Sequence, residues 1–433
     1  MNINHLPVVL YGAGKKAVQE MEIVKNMGLT PVCFCDTDTT KQGDMYLGLP
    51  VLSFEQIKKE YRKFDIYVTP ELPTVKHEIF DYLLQQGIAR ESIINCNEER
   101  YASCEYLETR LMIDQGYGQG AGLFFCCKVN DTINVSPSIN WYNNTEQLEM
   151  EDAVSQWIDL RDRTIHAIRN GDPCECAGCS RIATRWWPSE KKLKIVPFGF
   201  EFPCQLSCIY CSCGKRMDGE QRRFMRDFDY RRFVKALDNR GLLSDDTRFT
   251  IATGELTINS RKDELLDAIE KYKLTVNTNA IVFDSRVAEL TTKPGSCLII
   301  SIDAGTRKTY KLIKGMDAFN KVWSNVKKYS EHGVNVQVKY IFLPENSNDL
   351  DIDGFIQELM TVKAKFSDIV LILSSDMLKQ SQHTEEQIRL IAKMYSIARQ
   401  NNILVVINET FRADEIERIK HTVQSIVCRG KEK

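Results

Sequence analysis

The chain has 433 residues, 57 basic and 59 acidic side chains and a formal net charge of −2. That length supports two or three domains with full cores, and the near-neutral balance gives no polycationic field for nucleic acid. Its longest apolar runs match buried strands and fall short of the roughly 18 residues a spanning helix needs, so no membrane partner is expected. The opening MNINHLPVVLYGAG runs straight into a strand and a glycine turn with no secretory pattern. A cytoplasmic location is therefore expected, where the fifteen cysteines are poorly explained as disulfides. Metal ligation accounts better for those that cluster, and core packing for those that do not.

Residues 1–100 alternate strand and helix. PVVLYGAGKKA is an apolar strand ending at Gly12 and Gly14, and AVQEMEIVKNMG is a helix stopped by Gly28. TPVCFCD, ending at Asp36, and FDIYVTP supply further buried strands, a rhythm that predicts a parallel Rossmann-like sheet. Gly12, Gly14 and Ala17 have the spacing G-x-G-x-x-A, which lets a phosphate approach a helix N-terminus. Asp36 follows at about the twenty-residue distance where an acidic side chain meets a ribose hydroxyl. Two readings stay open: a site for a nucleotide, a nucleotide sugar or NAD, and a module whose glycines only make the turn. The residues YGAGKKA, CFCDTDTTKQGDMYLGLPVLS and LLQQGIARESIIN resemble the N-terminal domain of bacterial sugar O- and N-acyltransferases. The resemblance implies nucleotide-sugar or dinucleotide binding. It does not bring acyltransferase activity, because no hexapeptide β-helix repeat follows.

Residues 101–193 are weakly periodic and rich in cysteine. AVSQWIDLRDRTIHAIRNG reads as a helix, with Trp157, Leu160, Ile165 and Ile168 at helical spacing and a stop at Gly171. Cys174, Cys176 and Cys179 follow as C-x-C-x-x-C, and Cys126 or Cys127 could add a fourth thiolate. Zinc and a [4Fe–4S] cluster both take four such ligands.

Residues 194–433 repeat strand and helix. The strands are KIVPFGFEF, RFTIATGE, LTVNTNA, CLIISIDA, VNVQVKYIFL and DIVLILSS, with amphipathic helical stretches between them. Six successive units of this kind predict a partial (β/α)6 barrel, giving an α/β chain overall. In such a barrel chemistry gathers at the C-terminal strand ends. There, after the first strand, EFPCQLSCIYCSCGK places Cys204, Cys208 and Cys211 on one short loop, with Cys213 just beyond. Three thiolates on a four-iron cluster leave one iron open to an outside ligand, and Tyr210 can shield the cluster.

The pattern C-x-x-x-C-x-Φ-C after the first barrel strand resembles the signature of radical S-adenosylmethionine enzymes, over residues of about 196 to 375. The resemblance implies a catalytic [4Fe–4S] cluster on Cys204, Cys208 and Cys211 that reductively cleaves S-adenosylmethionine. The resulting 5′-deoxyadenosyl radical takes hydrogen from a substrate. ATGEL matches the family's G-G-E-P site and implies that Thr253, Gly254 and Glu255 lie near the methionine amine, although Thr253 and Leu256 depart from that pattern. NTNA (Thr278, Asn279) and SIDAGT (Ser301, Asp303) end the third and fourth strands, where the family places polar contacts to the cofactor. Cys213 is outside the triad, a bystander or a hydrogen donor to a substrate radical. LFFCC and IRNGDPCECAGC are similar to SPASM or Twitch extensions, which implies an auxiliary [4Fe–4S] cluster, although such extensions usually follow the barrel.

A radical enzyme acting on a carbohydrate or nucleotide-linked substrate, supplied with electrons by a flavodoxin or ferredoxin-type reductant, is the leading expectation. A peptide-modifying radical enzyme is the alternative, although the front domain lacks the look of a winged-helix peptide-recognition module. A non-catalytic Fe–S redox protein is a third reading. It gives ATGEL, NTNA and SIDA no reason to sit at strand ends.

Overall fold

The computed structural model describes residues 6–70, 73–95, 98–114, 121–126, 138–142, 149–188, 191–199, 203–211, 227–365, 369–376, 382–408 and 410–430. They form two compact units, one of residues 1–102 with 183–190 and the other of 103–182 with 191–433.

In the first unit, β1 (Val8–Tyr11), α1 (Ala17–Asn26), β2 (Pro31–Cys35), β3 (Met45–Tyr46), β4 (Leu49–Leu52), α2 (Phe54–Glu60), β5 (Asp65–Val68) and α3 (Pro73–Gln85) follow in order. The sheet order is β3-β4-β2-β1-β5, parallel except for the β3 hairpin. Every side chain of β1 is buried, and alternate ones enter two different cores. Val9 and Tyr11 pack with Ile57, Phe80 and Leu83, whereas Val8 and Leu10 pack with Met21 and Val24. A strand covered on both faces must be apolar throughout, which is why VVLY shows no alternation. β6 (Glu98–Ser103) pairs with a later strand, β10 (Ala183–Pro188).

The second unit opens with α4 (Glu105–Thr109), β7 (Met112–Asp114), β8 (Ala121–Phe124), β9 (Ser138–Tyr142) and α5 (Met150–Asn170). As its spacing predicts, α5 buries Trp157 and Ile165, and Gly171 closes it at φ 73°. The barrel strands are β11 (Ile195–Gly199), β12 (Arg248–Ile251), β13 (Lys273–Thr278), β14 (Cys297–Ser301), β15 (Val336–Phe342), β16 (Val370–Ser375) and β17 (Leu404–Ile407). The described helices among them are α6 (Tyr230–Asn239), α7 (Lys262–Ile269), α8 (Ser285–Thr291), α9 (Arg307–Lys314), α10 (Phe319–Glu331), α11 (Asp349–Lys363), α12 (Glu385–Gln400) and α13 (Ala413–Gly430).

All six expected barrel strands lie side by side and parallel in one sheet, ordered β17-β16-β15-β14-β13-β12-β11-β7-β8-β9. The sheet extends past them at both edges. β17 adds a seventh parallel strand after β16, and β7 pairs parallel with β11 before turning into the antiparallel β8 and β9. Alternate strand residues face the helices and are fully buried, such as Phe249 and Ile251 on β12, while Arg248 and Thr250 on the other face are half-buried. The fold is thus an open, partial barrel with a semi-polar concave face. Asp229, Asp284, Thr306, Asn348 and Thr384 cap α6, α8, α9, α11 and α12 with side-chain acceptors, each worth about 1 kcal/mol. Among the described residues no helix is long and apolar enough to cross a membrane.

Candidate functional site

The described part of the cysteine loop, Pro203 to Cys211, is tied to two other segments, one following a strand and one ending a helix. The Glu255 amide donates to the Pro203 carbonyl at 3.0 Å, fixing the loop to the end of β12. Ser207 and Ile209 donate to the carbonyls of Lys314 and Ile313 at 3.2 and 2.9 Å, fixing it to the end of α9. Gly315, which ends α9 at φ +75°, permits that approach: a Cβ there would lie 2.1 Å from Ser207 Oγ. A side chain would be strained in this left-handed region and would push on the residue between Cys204 and Cys208. Ile209 and Tyr210 pack against Ile313, Ile341 and Leu343.

Beneath the loop is a buried charge pair. Lys314 is 1% exposed and Asp303 is fully buried, with Nζ to Oδ2 at 2.5 Å. Tyr210 donates to the same oxygen at 2.6 Å and accepts from Lys314 at 2.8 Å, while the Ile341 amide donates to Asp303 Oδ1 at 2.7 Å. Asp303 adopts φ 58°, a conformation costly for a non-glycine residue and held here by this set of bonds. Burial pushes the Tyr210 phenol well up, and the Asp303 carboxylate adds to the effect. The expected cofactor residues Tyr210 and Asp303 therefore meet each other, and both are anchored to the loop's support.

Glu255, at the end of β12, is fully buried. It accepts from Thr278 Oγ1 at 2.8 Å, the Asn279 amide at 2.7 Å and Thr257 Oγ1 at 2.7 Å. Burial raises its carboxyl pKa, and these donors work against the shift. The expected residues Glu255, Thr278 and Asn279 are thus brought together as one network joining two strand ends. Asn279 Nδ2 points to Cys204 Sγ at 3.7 Å, and Gln205 donates to Asn279 Oδ1 at 3.3 Å. Gly254 precedes the network at φ 68°, beside Thr253. Ser301 closes β14, half-buried and in register with Lys339 on β15.

The three sulfurs sense one another. Burial raises the thiol pKa of both Cys204 and Cys208. At Cys208 the Lys314 cation opposes that rise, while Asp303, Cys211 and Cys204 reinforce it; Cys204 also interacts with Cys211. Among the described residues no three His, Cys, Asp or Glu side chains are gathered around a single-ion site. One tetrahedral zinc would hold its sulfurs about 3.8 Å apart at 2.3 Å bonds, a tighter grouping than a four-iron cluster requires. Cys213 lies outside the described residues.

Residues 203–359, which include this loop and the ends of β12 to β15, match the radical SAM superfamily. The chain carries a radical SAM domain. Two curated relatives, both probable GTP 3′,8-cyclases, align with part of the chain. The protein from Pyrococcus abyssi is 23% identical over 184 residues, covering 42% of this chain and 56% of its own length. The one from Pyrococcus horikoshii is 28% identical over 151 residues, covering 34% and 46%. The chain thus spans about half the length of the curated relatives it matches. Among solved structures, Streptococcus suis SuiB bound to S-adenosylmethionine aligns with a TM-score of 0.38 and 14% identity, covering 62% of this chain and 55% of its own. Native anSMEcpe with bound AdoMet gives a TM-score of 0.38 and 15% identity, covering 49% of this chain and 63% of its own.

A radical SAM domain implies a [4Fe–4S] cluster and S-adenosylmethionine, and the donor set fits. Three thiols stand on one anchored loop, with Asn279 hydrogen-bonding toward Cys204. Sequence reasoning overlooked three residues of this radical SAM domain. Lys314 carries the loop's ion pair, and no motif marks it. Lys339 stands half-buried on the concave face, where loss of solvent lowers its pKa against the pull of Asp303. Asn277 Oδ1, on the same sheet, is buried without a hydrogen-bond partner. The β alternation of VNVQVKY and LTVNTNA carried the signal for the last two, because Lys339 and Asn277 fall on the half-buried, concave-face positions.

The middle cysteines belong to the second unit. Cys174, Cys176 and Cys179 form nested turns, with the Ala177 amide on the Cys174 carbonyl at 3.0 Å and the Cys179 amide on that of Cys176 at 3.1 Å. All three are half-buried, and Cys126 interacts electrostatically with Cys176. Cys127 lies outside the described residues.

In the first unit a cavity of about 650 Å³ opens at the C-terminal ends of β1, β2 and β5, with Gly12, Gly14, Lys15, Asp36, Thr69 and Tyr82 in its walls. Chain order reverses between β1's two neighbours there, the usual place for a ligand in an open α/β sheet. Gly12 has φ +109°, and a Cβ would meet Thr69 Oγ1 at 2.6 Å, so this position requires glycine. At Gly14 a Cβ would meet nothing within 4 Å, so its small size leaves open space at the cavity. Asp36 accepts from the Ala13 amide at 2.8 Å, the Asp38 amide at 2.9 Å and Lys41 Nζ at 3.0 Å. Burial alone would raise the Asp36 carboxyl, but these donors outweigh it and hold its pKa below the ordinary value. Its carboxylate thus already braces the glycine loop, for which the sequence leaves a nucleotide site and a purely structural turn both open.

Proposed function

We propose that the chain is a radical SAM enzyme acting on a carbohydrate or nucleotide-linked substrate. The carrying observation is the anchored loop of Cys204, Cys208 and Cys211 at the end of the first strand of a parallel half-barrel, inside the segment that matches the family. When bound on these thiolates, the [4Fe–4S] cluster supplies the electron that cleaves S-adenosylmethionine to a 5′-deoxyadenosyl radical able to take hydrogen from an unactivated carbon. The chain's own residues hold and orient. Cys204, Cys208 and Cys211 would ligate the cluster, and Asn279 aims its amide at the Cys204 sulfur. Lys314 favours the Cys208 thiolate, and Tyr210 closes the loop over the Asp303–Lys314 pair. Glu255, Thr278 and Asn279 fix the neighbouring strand ends, so that Thr253, Gly254 and Ser301 can meet the methionine end of the cofactor. Asn277 and Lys339 present polar groups to a substrate on the concave face.

Two observations support the substrate class: the 650 Å³ cavity of the front unit, and the curated relatives' names, which specify a GTP cyclase. In this reading Gly14, Lys15 and the Asp36-braced loop receive a nucleotide's phosphate side. The C-x-C-x-x-C turns favour an auxiliary [4Fe–4S] site, and with it the alternative that the substrate is a peptide. The electron donor is expected to be a flavodoxin or ferredoxin-type protein. Thermal-shift titration with nucleotides, nucleotide sugars and short peptides tests the substrate class. Stabilisation by a nucleotide sugar supports it, and stabilisation by peptides alone overturns it.

A further inference from the structure

Cys104 is separated in sequence from every cysteine cluster, and its residue type and position suggest only core packing. It stands 8% exposed at the start of α4, and its thiol interacts with those of Cys126 and Cys179. Cys176 interacts in turn with Cys104, Cys174, Cys126 and Cys179. Thiols from three separate segments are thus within electrostatic reach of one another: the α4 start, the end of β8, and the turns after α5.

Side-chain packing joins two of these segments, the turns and α4, independently of the sulfurs. Arg181, two residues past Cys179, stacks on the ring of Tyr106, two residues past Cys104, at 5.6 Å. Phe125, beside Cys126, packs on Trp157 of α5 at 5.0 Å. None of the five cysteines is in a disulfide. Other buried cysteines do not share these surroundings. Cys33 and Cys35 lie inside an apolar strand core, and Cys297 faces Thr275 Oγ1 at 3.4 Å.

We propose that Cys104 is a ligand of the auxiliary iron–sulfur site, together with Cys126 and thiols of the C-x-C-x-x-C turns. The proposal rests on reading those turns as cluster ligands. A four-iron cluster needs four thiolates, and the described chain offers five without Cys127. Each ligating thiol would lose its proton to the solvent on binding iron.

The test uses the full chain with Cys204→Ala, Cys208→Ala and Cys211→Ala, which removes the catalytic ligands and leaves the auxiliary site to be read alone. After anaerobic reconstitution this variant should hold about four irons and show a reduced-cluster EPR signal. Adding Cys104→Ala should lower bound iron at least two-fold and abolish that signal. Cys104→Ser, which keeps a side chain able to cap α4, should lower the iron or shift the signal, while Cys297→Ala should change neither. Unchanged iron and EPR in Cys104→Ala would overturn the proposal. So would a loss confined to an Ala variant whose circular dichroism shows misfolding, with the Ser variant unaffected. Absence of iron already in the triad variant would instead sink the auxiliary-site reading on which the proposal rests.

Discussion

Replacing Lys314 with Met tests how the cysteine loop is held. Lys314 Nζ and Asp303 Oδ2 are 2.5 Å apart and almost wholly shielded from solvent. Met fills a similar volume but leaves the Asp303 carboxylate buried with only Tyr210 and the Ile341 amide as donors. Breaking a buried pair on one side costs about 3–5 kcal/mol. At about 1.5 °C per kcal/mol for a unit of this size, the melting temperature of the barrel unit should fall by roughly 4–7 °C. The double variant Lys314→Met, Asp303→Asn removes both charges while Asn can still accept from the Ile341 amide, so most of the loss should be recovered. Iron uptake gives a second readout. Without the cation that opposes its rise, the Cys208 thiol pKa climbs further, so Lys314→Met should reconstitute poorly at neutral pH and improve as the pH is raised. Calorimetry and iron assays on the four proteins of the cycle decide the matter. A single-variant loss below about 1 kcal/mol, the range of an exposed pair, or a double variant as unstable as the sum of the singles, would refute the reasoning.

Gly315→Ala should cost about 1–2 kcal/mol for its left-handed backbone and also reduce iron binding, because the new Cβ presses on Ser207. Adding Ser207→Ala removes the contacting Oγ and should restore the iron but not the backbone cost. Gly12→Ala should destabilise the front unit through its clash with Thr69, whereas Gly14→Ala should fold normally; Gly14→Val should fold yet lose nucleotide-induced thermal stabilisation. Burial raises Glu255 above its ordinary value of 4.5, so protonated Glu255 favours the folded state. That contribution is fully present below about pH 4.5 and fades as the pH rises through the folded value. Stability–pH profiles should therefore fall more steeply above pH 4.5 for the native chain than for Glu255→Gln. Cys213→Ala should keep the catalytic cluster, while Ala at Cys204, Cys208 or Cys211 should abolish it; iron retained in Cys211→Ala but lost in Cys213→Ala would reverse the assignment.

Local patterns carried much of this architecture. Apolar runs bounded by helical stretches marked all six expected barrel strands, because a parallel strand covered by helices must be apolar on at least one face. The cysteine loop and the strand-end motifs were legible because their residues are close in sequence. What stayed hidden depends on distant packing. Cys104 looks like an ordinary core cysteine until α4 meets the turns after α5, and Lys314 looks like any lysine in a helix's last turn. The edge strand β17 (Leu404–Ile407) is short and half-exposed, with no motif at its end. Asp36 shows the opposite case: its spacing suggests a ribose contact, yet its carboxylate is already engaged by the Ala13 and Asp38 amides and Lys41.

Reductive cleavage of S-adenosylmethionine tests the central claim most directly. Anaerobically reconstituted protein, reduced and supplied with S-adenosylmethionine, should form 5′-deoxyadenosine and methionine, and the variant lacking Cys204, Cys208 and Cys211 should form neither. Equal product from both proteins, or none from a native chain shown to hold its iron, would contradict it.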